Sequence, residues 1–258
     1  IKRLMENFQY ILPEIFISVS IMLFLLVGVF KKNSASLIYN LSNISLVILL
    51  ALIINLSSLD TIYLFNESYL IDNLSNYMKI ILVGSGIFVM LTGSKYIQVI
   101  NLNKIEYPIL ILSSILGMMI MISSNDLIVF YMGLELQSLA LYVLASFNRD
   151  NLLSTESGLK YFVLSALSSG LLLYGCSLTY GFSESTNFDQ ILINSTEFNY
   201  GTTFGIVFIL VGLAFKISAV PFHMWAPDVY QGSPTSVTLF FAILPKIAAL
   251  SVFIKFLY

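Results

Sequence analysis

Long runs of apolar residues divide the chain, and short polar segments separate them. A membrane-spanning helix needs about 20 mostly apolar residues, with a range of about 17–25. The runs are continuous, as in Ile44–Ile54, whereas the strands of a membrane barrel alternate with period two. The pattern therefore predicts an all-α polytopic membrane protein with eight spans. They are Ile11–Phe30, Leu37–Leu56, Tyr77–Gly93, Tyr107–Ser123, Leu127–Phe147, Ser157–Tyr180, Thr203–Val220 and Thr235–Tyr258.

Composition agrees with this prediction. Of 258 residues, 58% are hydrophobic and 10% are charged, whereas a soluble globular chain carries roughly 25% charged residues. A net charge of -2 gives no indication of nucleic-acid binding. The single cysteine, Cys176, excludes an intrachain disulfide, and no cluster of Cys and His has metal-ligand spacing. We therefore expect no metal site in this chain.

The connections between the spans differ in charge. Those after spans one, three and five are basic, and those after spans two and six are acidic without any Lys or Arg. The positive-inside rule places the basic connections on the cytoplasmic or matrix side. The N-terminus is then expected on the opposite side, although Lys2 and Arg3 argue mildly against it. The basic residues are Lys31, Lys32, Lys95, Lys104, Arg149 and Lys160, and the acidic ones are Asp60, Glu67, Asp72, Glu184, Asp189 and Glu197.

Three ionisable residues stand deep in predicted spans. Glu135 is near the middle of span five, Lys216 is late in span seven, and Lys246 is near the middle of span eight. A charge at the bilayer centre costs at least about 2.5–3.5 kcal/mol, and such residues usually mark an ion or proton path. The alternative is a structural ion pair between packed helices. The functional interpretation is favoured.

Helical spacing places other polar or small residues beside these three. Tyr131, Ser138 and Tyr142 share the stripe of Glu135 at offsets of four, three and seven. Small residues on the faces of the two lysines would let neighbouring helices approach closely. Serines of span six would add hydroxyls to a water chain, or would serve only helix packing. The small residues are Gly205, Gly212, Ala219, Ala242 and Ala249, and the serines are Ser165, Ser168 and Ser169.

Such a set of residues suits proton transfer. A proton relay needs groups whose two protonation states are close in free energy. Desolvation lowers the pKa of a lysine in general, and a nearby carboxylate raises it again. A glutamate that approaches or withdraws would therefore switch a buried lysine between its charged and neutral forms. We expect Glu135 and Lys216 to form such a pair, with Lys246 as the next acceptor.

The seventh span is interrupted soon after Lys216. Pro221 cannot donate a backbone hydrogen bond, and Pro227 repeats the problem. Broken helices near charges recur in transporters, whereas the plainer interpretation is a helix end followed by a loop. Residues 227–232 are then predicted as a turn, and Ser233 as the N-cap of span eight with Pro234 at its first position.

His223 and Trp225 lie within this interruption. A histidine has an unperturbed pKa of about 6.5, so His223 is a candidate proton-entry group. A lone histidine beside aromatic residues is more often structural. Trp225 is predicted to be an aromatic anchor at the membrane interface.

Several segments resemble the motifs of one family, the antiporter-like subunits of respiratory complex I and the related Mrp-type cation/proton antiporters. The resemblance covers about Asn125 to Lys246, and the first three spans match more loosely, in length and in the stretch Asn7–Glu14. Within this family the motifs are most similar to the mitochondrial chain 2 branch of NADH–ubiquinone oxidoreductase and to the bacterial subunit N branch. The segments are Gly133–Tyr142, Lys160–Gly170, Gly212–Lys216, Pro221–Pro234 and Leu244–Lys246.

The resemblance implies a role for each intramembrane charge. Glu135 would be the glutamate of the fifth helix, Lys216 its paired lysine on the broken helix, and Lys246 the central proton-carrying lysine. Redox chemistry would take place in other subunits, which would hold FMN, iron–sulfur clusters and ubiquinone, and this chain would bind no cofactor. The expected location is the mitochondrial inner membrane, or alternatively the bacterial plasma membrane.

The resemblance also implies a domain organisation. Residues 1–106 would form three N-terminal helices, and residues 107–258 the first of two inverted five-helix repeats. Members of the family have about fourteen helices, so the chain resembles their N-terminal half only. A partner chain supplying the remaining helices, as from a split gene, is expected beside the other membrane-arm subunits. The competing explanation is that the sequence is a shortened piece of a longer protein.

Three other functions fit the same residues less well. A subunit of an Mrp-type cation/proton antiporter would share the Glu and Lys motifs but would not be linked to redox chemistry. A scaffold within complex I would tolerate loss of Lys216 and Lys246 without loss of pumping. A quinone-binding enzyme is the weakest alternative, because the aromatic residues are spread along the spans and no site stands out.

Overall fold

A computed structural model describes residues 9–31, 34–57, 61–194 and 200–257. Several residues discussed above lie outside these ranges: Lys2, Arg3, Asn7, Lys32, Asp60, Glu197 and Tyr258. A 3-10 turn at Gln9–Ile11 precedes the first helix. The described helices and strands are α1 (Leu12–Phe30), α2 (Ala35–Leu56), β1 (Ile62–Leu64), β2 (Tyr69–Ile71), α3 (Asn73–Val99), α4 (Glu106–Ile122), α5 (Leu127–Ala145), α6 (Leu152–Ser183), α7 (Phe188–Asn194), α8 (Tyr200–Ile217), α9 (Trp225–Gly232) and α10 (Thr235–Leu257).

The predicted polytopic helical fold is confirmed. Within the described ranges, seven helices are long and apolar enough to cross a membrane. The helix α4 is apolar but has only 17 residues, which is at the short end of the range for a span. The predicted spans correspond in order to α1 through α6, α8 and α10. The helices α3 and α6 extend beyond the predicted ends on both sides, because polar first and last turns can still be helical outside the hydrocarbon.

The connections at one end of the bundle pack together. The segment after α2 forms an antiparallel hairpin, in which Tyr63 pairs with Leu70; the apolar pattern did not predict these strands. The side-chain amides of Asn125 and Asn187 both donate to the carbonyl oxygen of Glu67 at 3.0 Å. These bonds join the connections after α2, α4 and α6. Two of those connections are the acidic ones, which therefore meet at one end, as alternating spans require.

Close helix packing depends on glycine at two crossings. The helices α6 and α8 make the most extensive contact of the fold. A Cβ atom on Gly175 of α6 would lie 2.7 Å from the carbonyl oxygen of Gly205 on α8, and one on Gly117 of α4 would lie 2.6 Å from the backbone nitrogen of Gln137 on α5. Neither crossing has room for a side chain. The close approach expected at Gly205 is thus confirmed, and it holds α8 firmly against α6.

The seventh span is broken as predicted. The helix α8 ends at Ile217, Ser218 takes a left-handed φ of 59°, and α9 begins seven residues later at Trp225. The prediction of a turn at 227–232 is wrong, because these residues belong to α9. Pro227 falls in the first turn of that helix, where its missing N–H removes no helical hydrogen bond.

The prediction of Ser233 as the N-cap of α10 is also wrong. Its backbone N–H donates to the carbonyl oxygen of Val229 at 3.1 Å, so Ser233 closes the C-terminus of α9. The amides of Val237 and Thr238 donate to the carbonyl oxygen of Pro234. Pro234 thus starts the hydrogen-bonding pattern of α10.

Candidate functional site

Lys216 is buried where α5, α6 and α8 meet. Only 5% of the surface of this residue is exposed. The ammonium nitrogen Nζ lies 2.5 Å from Oγ of Ser165 and 3.3 Å from the hydroxyl of Tyr142. The Tyr142 hydroxyl in turn donates to Ser165 at 2.7 Å. The lysine is therefore held by two neutral hydroxyl groups that also bond to each other.

Glu135 does not reach Lys216 in this structure. Among the described residues, the ion pairs within 4.0 Å are Lys79–Glu14, Lys160–Glu156 and Lys160–Asp228. Glu135 is half-buried, and its Oε1 atom is buried without a hydrogen-bond partner in the described part of the chain. Tyr142 lies seven residues further along α5, about 10 Å along the helix axis. The expected ion pair is therefore not formed, and Lys216 contacts α5 through the Tyr142 hydroxyl instead.

The polar stripe of α5 is largely internal. Ser138 and Tyr142 are buried, and Tyr131 is partly buried. Of the three serines of α6, Ser165 contacts Lys216 directly, whereas Ser168 donates to the carbonyl oxygen of Gly212 at 3.4 Å. One serine of this helix face therefore binds the lysine, and another serves helix packing. The residue spacing alone did not distinguish these two roles.

An aromatic cluster connects the surroundings of the two intramembrane lysines. Tyr142 packs edge-on against Tyr161 at 5.0 Å between ring centroids, and Tyr161 stacks on Trp225 at 4.7 Å. Trp225 contacts Tyr230 at 6.2 Å. The Nζ atom of Lys246, a half-buried residue, lies 5.7 Å from the centroid of the Tyr230 ring. A continuous series of rings therefore runs from Lys216 to Lys246.

Trp225 is not an interfacial anchor, contrary to the prediction. It is 4% exposed, and its indole N–H donates to the carbonyl oxygen of Phe215 at 2.9 Å. The break of the span explains this position, because the last carbonyls of α8 lack helical partners and accept from other donors. The indole thereby fixes the start of α9 against the end of α8.

His223 lies in the turn between α8 and α9 and is exposed. The same end of the bundle carries the contact between Lys160 and Asp228, whose Nζ and Oδ2 atoms are 2.7 Å apart. Lys160 belongs to the predicted basic side. His223 therefore lies at the same end of the bundle as Lys160.

A second buried lysine was not singled out from the sequence. Lys79 of α3 is 3% exposed, and its Nζ atom lies 2.6 Å from Oε1 of Glu14 on α1. The hydroxyl of Tyr69 on β2 donates to the same Oε1 atom at 2.8 Å and accepts from Lys79 at 3.2 Å. Burial, followed by the Glu14 carboxylate, raises the pKa of Tyr69 well above its ordinary value, so the phenol stays a donor.

A signal for this cluster was present in the sequence. Both Glu14 and Lys79 fall within the predicted spans one and three, close to their ends on the acidic side. Two opposite charges at the same depth of neighbouring spans favour pairing. Within the described ranges, no group of three or more His, Cys, Asp or Glu side chains could hold a metal ion.

The profile of one protein family matches residues 124–258 of this chain, and its description is "NADH:quinone oxidoreductase/Mrp antiporter, TM". The chain belongs to this family. The matched residues include Glu135, Lys216 and Lys246, whereas Glu14 and Lys79 lie before them. The antiporter-like resemblance stated from the motifs is thereby confirmed.

Curated relatives agree with the antiporter family. NADH-quinone oxidoreductase subunit N of Pelagibacter ubique is 69% identical over 256 residues, which are 98% of this chain and 54% of that protein. Subunit N of Rhodospirillum rubrum is 50% identical over 249 residues, covering 95% of this chain and 51% of that protein. The chain thus spans about half the length of these relatives. They are bacterial, and a mitochondrial origin is not shown.

Solved structures of the antiporter family share the fold. A chain of respiratory complex I from Thermus thermophilus, solved with bound aureothin, has a TM-score of 0.81 at 27% identity. The match covers 94% of this chain and 52% of that one. A chain of the Mrp complex from Dietzia sp. has the same TM-score of 0.81 at 19% identity, covering 95% and 48%. The second likeness concerns the fold alone.

Proposed function

We propose that this chain is a proton-translocating membrane-arm subunit of an NADH:quinone oxidoreductase. The observation that carries the proposal is the environment of Lys216. This lysine is buried, two hydroxyl groups from other helices bind it, and its own helix ends one residue later. A buried lysine without a carboxylate within 4.0 Å, in the described part of the chain, is unsuited to a purely structural role. The subunit N relatives supply the redox-linked context.

The hydroxyl ligands suit both protonation states of the lysine. A hydroxyl group donates one hydrogen bond and also accepts, so it serves an ammonium group as acceptor and a neutral amine as donor. Tyr142 and Ser165 can therefore keep Lys216 satisfied while its proton comes and goes. A carboxylate accepts only and would favour the charged form alone.

The proposed path uses the residues in an order that the fold permits. Protons enter from the basic side, where His223 lies, and load Lys216. Glu135 responds from the same helix as Tyr142, and its Oε1 atom, which has no partner among the described residues, is available to accept a hydrogen bond when it approaches. Lys246, at the far end of the aromatic cluster, is the next carrier. The energy comes from redox chemistry in other subunits, which hold the FMN, the iron–sulfur clusters and the ubiquinone.

The proposal also covers the arrangement of the helices and the membrane in which the chain lies. Helices α4, α5, α6, α8 and α10 form one five-helix repeat, and α1 to α3 precede it. The other membrane-arm subunits are partners. Because the reported relatives are bacterial, we place the chain in a bacterial plasma membrane; the mitochondrial inner membrane is the alternative.

The test replaces Lys216 with Met in the intact complex. NADH-driven proton uptake into vesicles is measured beside assembly on a native gel. We expect normal assembly and loss of proton uptake. The matched control is Lys95→Met, because Lys95 is exposed near the end of α3. Unchanged proton uptake in assembled Lys216→Met and Lys246→Met complexes would mean that this chain is a scaffold.

The second candidate is a subunit of a cation/proton antiporter without redox chemistry. The description of the family names both machines, so membership alone does not separate them. Mass spectrometry of the chains that co-purify in mild detergent does. NADH-oxidising subunits support the proposal, and cation-antiporter subunits without redox proteins contradict it.

A further inference from the structure

A cavity of about 310 Å³ opens at the basic end of the bundle, between the ends of α1 and α5 and the start of α4. Lys104 and Arg149 line it, and both side chains are exposed. Neither makes an ion pair within 4.0 Å among the described residues. Two cations that are not engaged in an ion pair thus stand at the mouth of a cavity large enough for a ligand.

The other walls of the cavity are apolar. Leu25, Leu110 and Val143 line it below the basic residues. Leu25 is 47% exposed and Val143 is 46% exposed, so the apolar wall continues onto the outer surface of the helices. One turn further toward the membrane interior, Met22 and Leu139 are exposed as well. A ligand here would have an apolar part directed along the membrane-facing surface.

Charge and position together select the ligand. The carboxylate of Glu106 also lines the cavity, which leaves one net positive charge beside it. Soluble anions have nothing to place against the apolar wall, whereas a phospholipid has both an anionic head and acyl chains. Basic pockets between transmembrane helices on the cytoplasmic or matrix side are suited to anionic lipid head groups. We propose that this cavity binds one anionic phospholipid, with its phosphate between Lys104 and Arg149.

The test uses the purified complex in vesicles that contain a photoactivatable phosphatidylglycerol with a diazirine on one acyl chain. Cross-linked peptides are identified by mass spectrometry after illumination. We expect labelling of the peptides that contain Leu25, Leu110 and Val143, and little labelling there by the matching phosphatidylcholine probe. Equal labelling by both probes, or none by either because another protein chain covers the cavity, would overturn the proposal.

Substitutions that change the charge of the cavity should shift lipid labelling in two opposite directions. A head-group contact to each cation is worth about five-fold in affinity, so K104Q with R149Q should weaken labelling about 25-fold. Removal of the competing carboxylate in Glu106→Gln should strengthen it about five-fold, a gain that damage to the fold would not produce. Lys95→Gln, on the same side but outside the cavity, should change nothing. Equal loss in all variants would contradict a defined site.

Discussion

Lys79 and Lys216 are buried to nearly the same extent, 3% and 5% exposed, but their partners differ. Lys79 contacts the carboxylate of Glu14 at 2.6 Å, and Tyr69 completes the cluster. Among the described residues, Lys216 has two hydrogen-bond partners, the hydroxyls of Ser165 and Tyr142. One fold thus contains a lysine neutralised by an acid and a lysine surrounded by neutral groups.

The difference separates a structural lysine from one suited to proton transfer. A buried carboxylate and a buried ammonium depend on each other's charge, so removal of either partner from the pair of Glu14 and Lys79 is costly. It joins α1 to α3 outside the region matched by the family profile. Hydroxyl partners impose no such condition on Lys216. Burial of a lysine alone is therefore a poor indication of proton transfer, and the type of partner decides.

The largest expected effect on stability is at the paired site. Glu14→Leu leaves Lys79 buried without its counter-charge, which should lower the free energy of unfolding by about 3–5 kcal/mol. Combined with Lys79→Met, the same substitution should cost little, because apolar residues of similar volume replace the whole pair. Thermal unfolding of the purified protein measures both. A double variant as unstable as the single one would show that the pair is not coupled.

Matched Tyr→Phe variants compare the two sites through a smaller change in the free energy of unfolding. Tyr69→Phe and Tyr142→Phe each remove one hydroxyl that contacts a buried lysine. A hydrogen bond to a charged group contributes about 1.5–3 kcal/mol, so both should destabilise to that extent. Only Tyr142→Phe should reduce NADH-driven proton uptake. Equal loss of uptake in both variants would remove the functional distinction between the sites.

The sequence predicted the helices and the intramembrane charges better than their partners. Apolar runs were sufficient to find the spans, and Pro221 with its neighbours was sufficient to predict the break after Lys216. The contact of Lys79 with Glu14 joins residues 65 positions apart, and residue spacing within one helix carries no information about it. Trp225 was misplaced for a related reason, because its partner, the carbonyl oxygen of Phe215, becomes available only when α8 ends. Packing between helices decides these contacts.

A smaller effect, of opposite sign, is expected at the second carboxylate. Among the described residues, Glu135 Oε1 and Glu14 Oε2 are both buried without a hydrogen-bond partner, but Glu14 also accepts two hydrogen bonds through its Oε1 atom, from Tyr69 and Lys79. Glu135→Gln removes a poorly satisfied charge and should stabilise the fold by about 1 kcal/mol while proton uptake falls. Glu184→Gln, at an exposed position after α6, is the matched control. Destabilisation by Glu135→Gln would indicate that its carboxylate has a structural partner.

The smallest change in stability is expected from Lys216→Met, although this variant should abolish proton uptake. Removal of the lysine leaves the hydroxyls of Tyr142 and Ser165 bonded to each other at 2.7 Å, so no buried polar group loses its last partner. The free energy of unfolding should then change by less than about 1 kcal/mol. Lys79→Met is the matched comparison, because it leaves Glu14 as an unpaired buried charge and should cost about 3–5 kcal/mol. Similar losses of stability in the two Met variants would mean that Lys216 has a structural role like that of Lys79, and the argument from its neutral partners would fail.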